Sequence, residues 1–496
     1  MGDNCYRQPK QSYRFGTFSG VYVPSLLSIV GVVLFLRMNY VTGELGVGFM
    51  ALQLAIALSI ATLTILSISA VVTNLEMRGG GAYFLISRVL GPEFGGAIGL
   101  TMFLAQAVSV AFYILGFSES VVLDYPALRP WFAELTLATG LSVFAITWLG
   151  ANWSIRGQYL ILAVLAGSIG LFLSGALTRF SAETFLGNLG PAQLSVVQGR
   201  FWSFFAILFP AATGFLVGLG MSGDLADSQK SIPRGMLWAM LTAGLIYLFM
   251  VLLFAGAFSR DRLIESPYLV IREVLPAGLR LTVSAGVITA SLSSALGMHM
   301  AAPRILQAVA RDDLLPAVRY FARGSAFDEP RRATLLTGVI AMTILGWAAF
   351  SRIGQALNQV AGLLTLFFLA AYFLLNFAAF VESYTRNPSF RPRFRLFHWG
   401  TALAGCALCA LAGMLINPWG SALVVVTLML LYRYLRGRGL ETVYGDARRG
   451  LYYRNLRANL LALSAGQDTP RNWRPVCLVF SGYPESRLHL VSYGCW

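Results

Sequence analysis

Phe204 to Pro233 reads FFAILFPAATGFLVGLGMSGDLADSQKSIP, an apolar segment of membrane-spanning length broken in its middle by Pro210, Gly214, Gly218 and Gly220. A helix inside lipid has to satisfy its own backbone hydrogen bonds. Helix breakers at mid-depth are therefore tolerated only where the chain lines a cavity or packs against protein. The break is a candidate binding site.

The rest of the chain supplies the membrane context. Apolar residues make up 57% of it and charged residues 12%, with a mean hydropathy of +0.67, which would leave a water-soluble globule without a surface. Runs of roughly 18 to 25 apolar residues suffice to cross a ~30 Å hydrocarbon core. The chain holds 12 of them, near residues 20–42, 48–74, 90–119, 131–151, 157–177, 201–227, 234–258, 281–303, 332–352, 356–382, 397–416 and 418–436. The net charge of +15 raises nucleic acid as a partner, but the basic residues sit in short loops between spans, which is a topology signal and argues for no nucleic acid. Alternate loops, among them those with Arg78, Arg88, Arg156, Lys230, Arg304, Arg319 and Arg391, carry roughly twice the Lys and Arg of the others. Both termini are thereby expected in the cytoplasm. Arg260, Arg262, Arg272 and Arg280 run against the trend without reversing it. The polar leader MGDNCYRQPKQSYRFG has no cleavage pattern. Cys406 and Cys409 have the spacing of one half of a zinc site, but no second pair or nearby His accompanies them, so packing accounts for them better.

The broken sixth span has a counterpart in the first, GVYVPSLLSIVGVVLFLRM at residues 20–38, with Pro24 upstream and Gly31 in the middle. Interrupted helices in corresponding positions of two halves point to an inverted-repeat secondary transporter with its substrate at the midplane. The plainer alternative is that Gly and Pro are common in membrane helices.

Four longer segments, RFGTFSGVYVPSLLSIVGVVLFLR (14–37), GGGAYFLISRVLGPEFGGAIGL (79–100), FPAATGFLVGLGMSGDLADSQKSIP (209–233) and ASLSSALGMHMAAPRILQAVARDDLLP (290–316), resemble the signature segments of the cation–chloride cotransporters, within the amino acid/polyamine/organocation superfamily. FFLAAYFLLNF (367–377) and NPSFRPRFRLF (387–397) extend the resemblance. It implies an all-α membrane protein with a leucine-transporter-like 5+5 inverted repeat, 12 transmembrane helices and a truncated cytoplasmic C-terminal segment. It also implies that the protein is no enzyme.

Carried over residue by residue, the resemblance places potassium at Ser28, Ile29, Tyr83, Pro210 and Thr213, where neutral oxygens suit a large, weakly hydrated cation. It places chloride on backbone amides where each half-helix restarts, Gly31, Val32 and Val33 in the first span and Gly214, Phe215 and Leu216 in the sixth, with the Tyr372 hydroxyl beside the deeper ion. Read without it, Tyr83 and Tyr372 are bundle tyrosines with satisfied hydroxyls. Sodium-coupled members carry paired serines on the eighth span, here Ser293 and Ser294; with Ala290 and the carbonyls of Leu27 and Val30 they would make a small hard-cation site. Serines also serve close helix packing. Ser28 stands where sodium- and potassium-coupled members have Asn, and the same Ser occurs in a divergent branch of cotransporter-interacting proteins, toward which ILQAVARDDL and NPSFRPRFRLF also lean.

Few charges fall near the spans. Arg37 is a gate candidate, or a side chain that snorkels to the interface; Asp224, Asp227 and Lys230 are read as an inner gate or loop network, and His299 as bonded within the bundle, with proton coupling left open. Residues 1–19 read as a cytoplasmic tail and 20–436 as the transport domain. Residues 437–496 begin with basic amphipathic helices that suit the membrane face. RNWRPVCLVFSGYPESRLHLV (471–491) then reads as a strand that resembles the opening of a cytoplasmic α/β domain, here expected to be incomplete or vestigial and to leave a weak homodimer. No ATP-binding loop, haem motif or Ser–His–Asp arrangement is present, so no cofactor is expected. The resulting expectation is an integral protein of the cell or plasma membrane, a symporter of Cl⁻ with Na⁺ and K⁺ or NH₄⁺ in the lipid bilayer. An amino acid or amine permease and a non-transporting partner subunit are the alternatives.

Overall fold

The computed structural model describes the chain except residues 1–14, 75–80, 150–153, 221, 223–224, 266–272, 277–278, 326–328, 386–389, 391–392, 438–446 and 466–496. Twelve of its helices are long and apolar enough to cross a membrane. They are α1 (Phe18–Leu36), α2 (Met38–Asn74), α3 (Pro92–Asp124), α4 (Pro126–Leu149), α5 (Gly157–Thr178), α6 (Leu194–Ala212), α7 (Ser228–Ala257), α8 (Arg280–Arg311), α9 (Arg331–Ala349), α10 (Gln355–Thr385), α11 (Trp399–Ile416) and α12 (Pro418–Gly437). The chain divides into two compact units, Met1–Ala447 and Arg448–Trp496. The described part of the second is one helix, α13 (Ala447–Ala465). The strand expected at 471–491 lies outside the described residues.

The packing of the first unit follows a period of five spans. The most extensive contact between helices is α3 on α8, and α2 on α7, α4 on α9 and the broken α1 on the broken sixth span repeat the relation. Two copies of a five-helix unit arranged about a common axis bring each helix near that axis against its own counterpart. α3 is the most central of these helices, with nearly every residue from Gly95 to Val122 buried, whereas along α12 Leu435 is the only buried residue.

Breaks are placed where the sequence has the residues to make them. α1 consists of Val23–Ile29 and Val32–Leu36, separated at Val30 and Gly31. In the sixth span α6 tightens into a 3-10 turn at Phe209–Ala212, opens at Thr213 to Phe215, and restarts as Leu216–Gly220. α2 bends at Gly46, whose φ of 71° favours glycine. A Cβ at Gly46 would also run into the backbone of Gly190.

A polar cluster fixes α10 against α2. The Asn376 amide donates to Thr64 Oγ1 at 2.8 Å and to the Tyr372 carbonyl at 2.9 Å, and its oxygen accepts from Ser67 Oγ at 2.7 Å. Gly405 of α11 lies so close that a Cβ there would sit 2.6 Å from the amide, so a small residue is what lets α11 cover the cluster. Replacing Asn376 by Leu is expected to lower stability by about 1–2 kcal/mol, read as a drop in thermal midpoint of the detergent-solubilised protein.

Candidate functional site

Two unwound backbones meet at the centre of the bundle. At the first, Val30 has φ −82° and ψ 69°, the inverse γ-turn conformation, and the Gly31 amide donates to the Ile29 carbonyl at 2.9 Å. At the second, Thr213 donates to the Pro210 carbonyl through both its amide, at 3.2 Å, and its hydroxyl, at 2.8 Å. The breaks press together at Gly214, where a Cβ would lie 2.5 Å from Ile29 N and from Ser28 C. Glycine is the residue that permits this approach.

Side chains from four neighbouring spans close on the carbonyls so exposed. Tyr113 of α3 donates to the Ser28 carbonyl at 3.2 Å, and Ser294 of α8 lies 3.4 Å from the Leu27 carbonyl. Tyr372 of α10 donates to the Thr213 carbonyl at 3.2 Å. Tyr247 of α7 reaches both breaks, lying 2.5 Å from the Ile29 carbonyl and 3.2 Å from that of Ala211. All four side chains are buried. The Ser28 hydroxyl is buried here without a hydrogen-bond partner.

Most of the expected positions gather at this junction: Leu27, Ser28, Ile29, Val30 and Gly31 from the first break, Pro210, Thr213, Gly214, Phe215 and Leu216 from the second, and Ser294 and Tyr372 beside them. Ala290 is buried one helical turn before Ser294, and Ser293 is half-buried next to it. Tyr83 does not join them. It lies on a separate short helix, Gly81–Val89, and its hydroxyl donates to the Asp312 carboxylate at 2.5 Å, at the far end of α8. Burial and then the Asp312 charge raise the Tyr83 phenol above its ordinary pKa, which keeps it a donor. The tyrosine that meets the first break is Tyr113, and Tyr247 is a second that the sequence reading passed over. Both follow a helical face of α3 or α7 that is otherwise apolar, so nothing in the local pattern separates them from bundle tyrosines. The Gly31 amide donates to the Ile29 carbonyl, so Val32 and Val33 carry the first amides of the restarted helix that this turn leaves open.

Polar and backbone contacts flank the junction on both sides. Beyond Leu36, Arg37 forms a two-pronged ion pair with Glu119 of α3, at 2.8 and 2.9 Å. It also donates to Asn358 Oδ1 at 2.7 Å and to the Gly354 carbonyl at 3.2 Å, both near the start of α10. The pair is 7% exposed on each side, so Arg37 does not snorkel to an interface. On the opposite side Phe15 pairs with Leu225, with the Ala226 amide donating to the Phe15 carbonyl at 3.0 Å, and Thr17 donates to Ser231 at 3.1 Å. Asp227 caps α7 by accepting from the Lys230 amide at 3.1 Å and pairs with its ammonium at 3.1 Å, a local network at the start of the helix. That contact with Lys230 holds the exposed carboxyl below its ordinary pKa. Asp224 lies outside the described residues. His299 bonds to Thr147 of α4 at 3.0 Å. Among the described residues no cluster of His, Cys, Asp and Glu could hold a metal; Cys406 and Cys409 are buried thiols on α11.

The family model for amino acid permeases matches residues 20–479. Human solute carrier family 12 member 2 is 34% identical over 98% of this chain and 44% of its own length. Mouse solute carrier family 12 member 1 is 33% identical over 96% of this chain and 48% of its own. The zebrafish member 2 is 34% identical over 98% and 47%. The chain thus spans about half the length of the relatives it matches.

Two substitutions test the junction. Gly214→Ala forces the breaks apart and is expected to abolish any substrate-dependent thermal stabilisation while the protein still reaches the membrane. Tyr247→Phe removes the one hydroxyl that lies against both breaks and leaves the ring in place, so the thermal midpoint should fall by the equivalent of about 1–3 kcal/mol.

Proposed function

Starting from a chain that belongs to the amino acid permease family, on its cation–chloride cotransporter branch, we propose that this protein is a secondary active symporter moving Cl⁻ together with Na⁺ and with K⁺ or NH₄⁺ by alternating access. The observation that carries the reading is the apposition of the two breaks at Gly214, which gathers carbonyls, an unpartnered Ser28 hydroxyl and helix-opening amides at one point. Carbonyl and hydroxyl oxygens suit cations, and amides at helix starts suit anions.

The larger cation takes Ser28, Ile29, Pro210 and Thr213, with Tyr113 in the place first given to Tyr83. Sodium takes Leu27, Val30, Ala290, Ser293 and Ser294. Chloride takes the amides of Val32 and Val33 and, deeper, those from Gly214 to Leu216 with Tyr372. A carbonyl has two lone pairs and a phenol oxygen accepts as well as donates, so Tyr113, Tyr247 and Tyr372 can share their carbonyls with an ion or turn aside for it. The aromatic bulk of Tyr113, Tyr247, Phe215 and Tyr372, all buried around the junction, supports inorganic ions over an amino acid. Arg37–Glu119 and the Phe15–Leu225 clasp serve as the two gates, one opened at a time. The basic loops favour both termini in the cytoplasm of a cell whose plasma membrane holds the protein, and the exposed faces of α11 and α12 leave room for a homodimer.

Uptake of radiolabelled chloride into proteoliposomes at clamped voltage tests this. Imposed cation gradients should accumulate chloride, and Thr213→Ala should cut the rate about tenfold, the worth of one ion contact. If no cation gradient drives chloride, the symport reading fails; amino acid uptake in the same vesicles would favour the permease alternative.

A further inference from the structure

Tyr83 takes no part in the ion junction, and its surroundings give it another task. It sits on the short helix Gly81–Val89, which the turn at Gly91, with φ 94°, folds back onto the first turns of α3. Two glycines of α3 make a groove for it. A Cβ at Gly95 would lie 2.4 Å from Ser87 Cβ, and one at Gly99 would lie 2.6 Å from the Tyr83 ring and 2.4 Å from Val309 of α8. Tyr83 and Ser87 are one helical turn apart, as are Gly99 and Gly95, so the short helix lies along the groove. The Tyr83 side chain is buried there, and its hydroxyl donates to Asp312 Oδ2 at 2.5 Å.

Asp312 stands against the local preference of its position. It is the C-cap of α8, where the last carbonyls make the helix end negative and a carboxylate is disfavoured. Arg311, in the last turn, has the favoured sign. A local rule broken in this way points to a role outside the helix itself, and the Tyr83 hydroxyl supplies one. The start of the short helix meets the sixth span. Gly81 has φ 56°, and a Cβ there would lie 3.6 Å from Gly220 Cα; a Cβ at Gly220 would in turn lie 3.5 Å from Ala301 Cβ of α8. Gly220 ends the half-helix that restarts after the second break. The end of that half-helix is thus held between the short helix and α8, shortly before Leu225 pairs with Phe15.

We infer that Tyr83 and Asp312 form a latch: their bond holds the short helix against Gly220, which restrains the second half of the sixth span and keeps the Phe15–Leu225 side closed. Both are positioning residues that act through the short helix. The inference rests on the alternating-access reading, in which that half-helix has to swing away before ions can leave on this side. Removing the hydroxyl leaves the Tyr83 ring in its glycine groove, so the restraint weakens while the helix keeps its place in the fold.

Hydrogen–deuterium exchange of the purified full chain in lipid nanodiscs, with no ion gradient, tests the latch. Tyr83→Phe should speed exchange about tenfold, the worth of one hydrogen bond to a charged group, in peptides covering residues 18–29 and 216–220. Peptides covering residues 38–45 and 116–124, beside the Arg37–Glu119 pair, should stay unchanged or slow. Asp312→Ala should act like Tyr83→Phe, and Asp312→Asn, which keeps an acceptor oxygen, should fall between it and the parent. The double variant Tyr83→Phe/Asp312→Ala should exceed neither single one, because both remove the same bond. Unchanged exchange, an equal rise on both sides, a rise confined to the short helix, or additive effects in the double variant would each overturn the proposal. The readout needs no transport, so a failed latch leaves the chloride-uptake test standing, and absent uptake leaves the exchange pattern to be judged separately.

Discussion

A backbone amide or carbonyl inside a bilayer has no water to turn to, and the architecture around the two breaks follows from that constraint. Opening α1 at Val30 and the sixth span at Thr213 frees backbone groups whose stranding would cost several kcal/mol each. They are recovered locally, by the turn between Ile29 and Gly31 and by the Thr213 bonds to Pro210, and at longer range by Tyr113, Tyr247 and Tyr372. The direct backbone approach at Gly214 makes the two openings one site. Neither break would be tolerable alone at that depth.

The surrounding spans serve this junction more than they serve each other. α3 and α8, the most closely packed pair, present Tyr113 and Ser294 to the first break. α7 spans the gap between the breaks through one hydroxyl, and α10 is held in register by Asn376 so that Tyr372 meets Thr213. The Arg37–Glu119 pair is built differently. Two charges taken out of water gain little net stability even when well matched, and here the guanidinium is satisfied by a carboxylate, a side-chain amide oxygen and two main-chain carbonyls.

Much of this was legible beforehand. Span number followed from apolar run length, and the breaks from Pro24, Gly31, Pro210 and Gly214, because lipid restricts what such residues can mean. Where the reading slipped, it relied on a residue type whose local surroundings carry no direction. Tyr83 and Tyr113 are both tyrosines in apolar, glycine-containing stretches, and only the packing of α3 against the first break tells which hydroxyl reaches Ser28. Tyr247 left no trace at all, since its partners lie more than thirty residues away on either break. Glu119 went unremarked near the end of α3, and only the fold brings it to Arg37.

The sequence by itself determined that this chain crosses a membrane many times, that two of its helices are interrupted, and that the interruptions must be sheltered by protein. Those are consequences of composition and of hydrogen bonds that lipid will not replace, and they hold however the helices are arranged. Which carbonyl each tyrosine takes, which carboxylate Arg37 finds and what chemistry surrounds His299 were decided by tertiary structure alone. Each of those depends on the angle and depth at which one helix meets another, and that is set by side chains distributed over the whole bundle.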